Sequence, residues 1–177
     1  MIALIDCNNF FASCEQAFQP WLRKKPVLVL SSNDGCVIAR SQEARELGIP
    51  MGVPVHTILE EIDKHNIYVC SSNLQLYVDM SRRVMSALEG FSTSIEVYSI
   101  DESFMTLDCQ KVEDYLEVGR MIRQTVLSWT GIETSIGIGS TKTLAKIANQ
   151  LVKMEKKYGG VFVIQHSEKI IEILKSI

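Results

Sequence analysis

The chain has 177 residues, 46% of them hydrophobic, and its 18 Lys and Arg against 21 Asp and Glu give a formal charge of -3. That length and apolar content predict one ordinary core with a small second lobe, while the mild acidity argues against a stand-alone DNA-binding module, whose phosphate-neutralising charge would be global. Cys7, Cys14, Cys36, Cys70 and Cys109 are odd in number and contain no C-x-x-C pair, which excludes a disulfide framework and a zinc ribbon and predicts free thiols in a reducing compartment.

In chain order, Met1 to Ile5 reads as a continuous apolar strand, and Asn8 to Phe18 as a helix that ends before Pro20. Pro26 to Leu30 and Cys36 to Ala39 flank Ser31-Ser-Asn-Asp-Gly35, a hairpin signal in which Gly35 is expected to supply the positive φ. Ser41 to Leu47 reads as a short helix stopped by Gly48. Ile67 to Cys70 is a short strand, and Ser71-Ser-Asn73 offers caps for a helix with Leu74, Tyr77, Ser81, Val84 and Leu88 on its core face. Ile95 to Leu107 is strand-like on both sides of Asp101-Glu102. Val112 to Thr130 is the clearest helix, with Tyr115, Val118, Ile122, Val126 and Trp129 expected in the core. An alternating strand from Ile132 to Ile138, a helix from Ser140-Thr141 to about Lys153, a strand Gly160 to Ile164 and a helix from Lys169 to Ile177 complete the pattern.

With the turn-rich segment from Phe11 to Tyr77 set aside, the order is strand, helix, two strands around the acids, helix, strand, helix, strand. That order predicts an α+β fold, a ferredoxin-like antiparallel sheet with helices on one face, into which a small subdomain is inserted after the first strand. No basic leader opens the sequence and no apolar run approaches a membrane-spanning length, so a cytoplasmic protein with no membrane segment is expected.

Asp6 ends the first apolar run, and Asp101-Glu102 sits in another. Acids at strand ends often stand in solvent as caps, and that ordinary reading fits Asp6 alone. Asp101-Glu102 fits it less well, because apolar residues flank the pair on both sides. A carboxylate removed from water is costly unless paired or bound to metal, so these placements predict a divalent-cation site. Side chains of neighbouring strand residues point to opposite faces, so a bend or bulge is needed if both acids serve one site.

Four ordered segments, Asp6-Cys-Asn-Asn-Phe-Phe-Ala-Ser-Cys-Glu15, Val29-Leu-Ser-Ser-Asn-Asp-Gly-Cys-Val-Ile-Ala-Arg40, Tyr98-Ser-Ile-Asp-Glu-Ser103 and Thr141-Lys-Thr-Leu-Ala-Lys-Ile-Ala-Asn149, closely resemble the Y-family translesion DNA polymerases, most of all the UmuC-like branch. The resemblance runs from residue 1 to about residue 165. It implies a palm of residues 1–10 and 78–166, fingers of residues 11–77, and the start of a thumb at residues 167–177. It also implies primer-template DNA and a deoxynucleotide triphosphate as substrates, and two magnesium ions about 4 Å apart, with manganese able to substitute. Asp6 and Asp101 would bridge those ions, the Cys7 carbonyl would complete one shell, and Glu102 would help activate the primer hydroxyl. Phe11, beside Phe10, matches the aromatic gate that excludes a ribose 2′-hydroxyl. Arg45 and Lys153 match triphosphate contacts, with Ser41 a weak substitute because Gln42 stands where many relatives have Tyr. Cys36 and Ile38 would floor the templating base pair.

The chain stops at Ile177, where a thumb would begin. The expectation is therefore a palm-and-fingers portion that grips DNA weakly and has low activity alone, with a UmuD-like subunit, a RecA filament and a sliding clamp as partners of a longer protein. Two other classes stay open: a cyclase-like nucleotidyltransferase on the same palm, and a non-catalytic remnant that binds polymerase partners. Gly137-Ile-Gly-Ser-Thr-Lys-Thr143 lacks the Gly-Lys step of a phosphate loop, and His56, His65 and His166 show no metal-ligand spacing.

Overall fold

The computed structural model describes residues 1–164. The expected helix Lys169 to Ile177, the thumb start at residues 167–177 and His166 lie outside the described residues. In chain order the elements are β1 (Ile2–Cys7), α1 (Phe10–Phe18), β2 (Val27–Leu30), β3 (Val37–Arg40), α2 (Gln42–Glu46), α3 (Leu59–His65), β4 (Tyr68–Ser71), α4 (Leu74–Leu88), β5 (Ile95–Val97), β6 (Glu102–Thr106), α5 (Val112–Thr130), β7 (Thr134–Gly139), α6 (Lys142–Met154) and β8 (Val161–Val163). They fall into two compact units. Among the described residues, one holds 1–7, 82–129 and 133–164; the other holds 8–81 with 130–132.

The first unit is built on a five-stranded sheet in the order β5-β6-β1-β7-β8. β1 is apolar up to Asp6 because it is the central strand, paired antiparallel with β6 on one side and β7 on the other. The four strands β5, β6, β1 and β7 give the expected ferredoxin-like antiparallel order. β8 departs from it by joining β7 in parallel. A parallel neighbour requires a crossover, which α6 supplies, and the local apolar pattern of a strand carries no record of its direction.

Helices cover both faces of this sheet, where one was expected. A Cβ on Gly119 of α5 would lie 2.6 Å from a Val161 methyl, whereas a Cβ on Gly137 would lie 2.2 Å from the Ala145 carbonyl oxygen of α6. Val161 pairs with Ile136, so it stands on the face opposite Gly137. The absence of side chains at Gly137 and Gly139 is what lets α6 lie directly on the β7 backbone. Buried Asn149 fixes the contact, donating from Nδ2 to the Ser135 carbonyl at 2.8 Å and the Leu4 carbonyl at 3.4 Å.

Two core assignments fail at helix ends. Trp129 is 67% exposed and Leu74 is 56% exposed, although Tyr115, Ile122 and Val126 on α5 and Tyr77, Val84 and Leu88 on α4 are buried as expected. Trp129 lies in the last turn of α5 and Leu74 opens α4, where the stripe runs past the packed surface.

The second unit carries the three-stranded sheet β3-β2-β4, antiparallel between β2 and β3 and parallel between β2 and β4. Its core is Leu28, Leu30, Val37, Ala44, Ile49 and Ile67. In the β2–β3 turn the positive φ falls on Asp34 (53°) and not on Gly35. An aspartate tolerates that conformation, and Asn33 Oδ1 accepts from the Gly35 N–H at 3.3 Å to close the turn. All five cysteines are free thiols, and burial, reinforced by Glu15, pushes Cys14 and Cys70 up to about 12.

Gly137→Ala should cost about 3 kcal/mol or more, because backbone atoms of α6 occupy the space of the new methyl. Urea unfolding checks it; a loss below 1 kcal/mol would show that α6 can lift off β7.

Candidate active site

Asp6 and Glu102 are direct partners in the β1–β6 register, so their side chains leave the sheet side by side. They share the face on which Leu4 and Phe104 meet Ala145 of α6. Glu102 keeps partial access to solvent, whereas Asp6 is only 4% exposed. Between β5 and β6 the chain bends, with the N–H groups of Tyr98 and Ser99 both donating to the Glu102 carbonyl at 3.0 Å. This is the bend that the adjacent acids required. Ser99 Oγ accepts from the Glu102 N–H at 2.9 Å and donates to Asp101 Oδ1 at 2.6 Å, and the Cys7 N–H donates to the Asp101 carbonyl at 2.9 Å.

α6 answers the carboxylates with cations. Lys153 Nζ lies 2.5 Å from Asp6 Oδ2, Lys146 Nζ lies 4.0 Å from Glu102 Oε2 and 4.1 Å from the Tyr98 ring centroid, and Lys142 Nζ holds Glu96 at 2.6 Å. Positions 142, 146, 149 and 153 follow the helical repeat, so one stripe of α6 carries all three lysines and Asn149. The Lys142–Glu96 pair was not foreseen, and the polar spacing at those four positions is the signal that could have found it.

Burial pushes the Asp6 carboxyl up to about 7; Lys153 pulls against this through its hydrogen bond and charge, and Glu102 adds to the rise. Asp6, Cys7, Asp101, Glu102 and Lys153 are thus brought to one end of β1. As they stand, the carboxylates do not converge on one point: among the described residues, no three His, Cys, Asp or Glu side chains form a metal cluster. The donor set is all oxygen and so fits a hard divalent cation, which would take over from Lys153 the neutralisation of buried Asp6.

In the second unit Phe11 is half-buried and its ring stacks on Tyr77, centroids 4.3 Å apart and planes within 13°. Tyr77 in turn donates to Glu15 Oε1 at 2.8 Å, a buried polar contact that sequence reading missed. Phe10 is buried in the body of the unit, so its ring is not among the exposed members of the expected nucleotide-binding set. Arg45 is exposed on α2, with Nη1 3.3 Å from Asn9 Oδ1. Ser41 is removed from that set: 1% exposed, its hydroxyl accepts from the N–H groups of Val27 and Ala44 and donates to the Lys25 carbonyl. It caps α2 and has no hydroxyl to spare for phosphate. Cys36 is half-buried at the head of β3, and Ile38 points outward from that strand, 37% exposed.

Residues 5–150 match the family model described as the impB/mucB/samB family. The chain belongs to that family. Members it resembles include Protein ImpB of Salmonella typhimurium, 46% identical over 98% of this chain and 42% of that protein, and Protein UmuC of the same species, 45% identical over 96% of this chain and 40% of that protein. A DNA polymerase IV of Picrophilus torridus is 34% identical over 86% of this chain and 45% of its own length. The chain therefore spans less than half of these relatives. An insertion ternary complex of Dbh DNA polymerase superposes with a TM-score of 0.82 at 29% identity, covering 95% of this chain and 50% of that one. DinB from Sulfolobus solfataricus gives 0.81 at 29% identity, over 95% of this chain and 49% of that one. These matches bear out the resemblance read from the motifs, and with it the α+β architecture of the impB/mucB/samB fold.

The raised Asp6 pKa fixes a sign. Between its ordinary value of 3.8 and about 7 the folded state holds a proton that the unfolded chain has lost, so stability from this group falls as pH rises through that window. Asp6→Asn should therefore be more stable than the wild type at pH 8, with the gap closing toward pH 4. Denaturant midpoints at both values test this; a gap independent of pH would place the strain elsewhere.

Proposed function

We propose that this chain carries the catalytic portion of a translesion DNA polymerase that joins a primer 3′-hydroxyl to the α-phosphate of a deoxynucleotide triphosphate on a template. In that transfer the 3′-oxygen forms a bond to the α-phosphorus, the bond to pyrophosphate breaks, and the hydroxyl proton passes to solvent. One observation carries the reading: Asp6 and Glu102 stand as direct cross-strand partners, with Asp101 adjacent and Lys153 reaching in from α6. The names of the relatives, DNA polymerase IV among them, support it.

Asp6, Asp101, Glu102 and the Cys7 carbonyl are the groups to hold two divalent cations, for which magnesium suits an all-oxygen set of few carboxylates, with manganese as its substitute. When bound, such ions neutralise phosphate charge and lower the pKa of the primer hydroxyl. Ser99 orients Asp101, and the β5–β6 bend keeps Asp101 and Glu102 at the end of β1. Lys153, whose side chain is 36% exposed, is the cation to meet the triphosphate once metal ions replace it at Asp6. Phe11, held flat by Tyr77, is the ring to exclude a ribose 2′-hydroxyl, and Arg45 on α2 has the planar guanidinium for bidentate phosphate contact. Ile38 on β3, with Cys36 just before that strand, offers an outward apolar surface for the templating base pair.

Among the described residues no helix is long and apolar enough to cross a membrane. A cytoplasmic setting, and a UmuD-like subunit, a RecA filament and a sliding clamp as partners of the longer protein, complete the proposal.

Primer extension tests it. Incorporation should require template and magnesium and fall by at least about a thousandfold in Asp101→Ala, the scale of losing a group that acts in the transition state. Phe11→Ala should raise ribonucleotide incorporation relative to deoxynucleotide at least tenfold. Template-independent product, or extension indifferent to Asp101, would defeat the assignment.

A further inference from the structure

Away from the carboxylates, the loop between α1 and β2 carries the sequence Trp21-Leu-Arg-Lys-Lys25. Trp21 is 55% exposed, and Arg23, Lys24 and Lys25 are exposed in succession. None of the three cations is in a salt bridge among the described residues, in a chain whose net charge is -3. A solvated turn would explain the lysines but not the tryptophan, whose large apolar ring is held out beside them.

The platform is built. A 3₁₀ turn, Pro20–Leu22, presents Trp21 while Leu22 is fully buried beneath it. Gln16 Nε2 donates to the carbonyls of Leu22 and Lys25, each at 3.2 Å, and Ser41 Oγ donates to the same Lys25 carbonyl at 3.2 Å. Tyr68 meets the indole edge-on at 5.1 Å and Lys25 Nζ sits 5.4 Å from its centroid. These contacts fix the ring before any ligand arrives, which cuts the ordering cost of binding.

Beside the ring is a pocket of about 390 Å³, whose walls include Asp63, Asn66, Ile62 and Tyr68. That volume is near the small end of ligand pockets, about 300 to 1,000 Å³, a size for one base with its sugar. An exposed aromatic ring flanked by consecutive cations is the arrangement that takes stacked bases and their phosphates without strong sequence preference. Asp63 selects between polyanions. A carboxylate in the wall accepts from base amino groups and Asn66 can both donate and accept, whereas an acidic peptide would set its own carboxylates against Asp63.

We propose that the Trp21 pocket is a contact site for single-stranded nucleic acid, with one base stacked on the indole and the adjoining phosphates met by Arg23, Lys24 and Lys25. The site lies wholly in the second unit and does not depend on the nucleotidyl-transfer reading. It adds a hold on unpaired strand that the carboxylate end of β1 does not supply.

The chain has two tryptophans, so Trp129→Phe leaves Trp21 as the sole reporter. Titration of that protein with an eight-residue oligodeoxycytidylate, whose bases carry the amino group that Asp63 would accept from, in EDTA, where no transfer can run, should quench its emission saturably. Charge reversal at Arg23 and Lys24 together should weaken binding at least tenfold and reduce the salt slope by about 1.4, from about 0.7 per phosphate contact. Trp21→Ala, read by anisotropy of a labelled oligonucleotide, should weaken binding about tenfold. The Arg23 and Lys24 variant alters only exposed side chains and so stands if Trp21→Ala misfolds. Absence of quenching, variants that bind like the parent, or an acidic peptide that quenches as well as the oligonucleotide would each overturn the proposal.

Discussion

Two carboxylates side by side across a β-ladder, one of them almost fully removed from water, form an arrangement that the rest of the first unit must compensate. Like charges at direct cross-strand positions are destabilising, and burial makes the ionised form of Asp6 costlier still. The compensation comes from α6, whose Lys146 and Lys153 stand two helical turns apart over Glu102 and Asp6. The long lysine side chains converge on the two acids only if α6 lies close to the sheet along its length. Gly137 and Gly139 are therefore part of the electrostatics as much as of the packing, because any side chain there would lift the lysines away from the acids.

Much of this was legible in the sequence, for a physical reason. Acids inside apolar segments conflict with the local pattern, and such conflicts concentrate at functional sites. Asp6, Asp101 and Glu102 stood out on that ground alone, and the structure supplies the bend at Tyr98 to Asp101 that their adjacency demanded. Lys153 was different. Lysines also stand at 156 and 157, so the local pattern alone suits a solvated basic face, and only the family resemblance singled Lys153 out. The helical repeat of Lys142, Lys146, Asn149 and Lys153 held the same information in a form not used.

The misreadings share a cause: one-dimensional patterns do not record where a packed surface stops. Trp129 and Leu74 continue their helical stripes beyond the partner that would cover them. The parallel entry of β8 is set by the crossover through α6, and Asp34 takes the turn conformation assigned to Gly35 because two residue types there can adopt it. Ser41 shows a subtler limit. A hydroxyl at a helix start can cap or can bind phosphate, and only its three backbone partners decide between the two.

The burial of the thiols has a consequence for chemical survival. With Cys14 and Cys70 pushed up to about 12, their reactive thiolate fraction at neutral pH is on the order of one part in 10⁵, far below that of an ordinary cysteine. Oxidants and alkylating agents attack the thiolate, so burial itself protects these two positions, with no scavenging partner required. This unit thus carries two sulfur atoms in a form that such reagents scarcely touch.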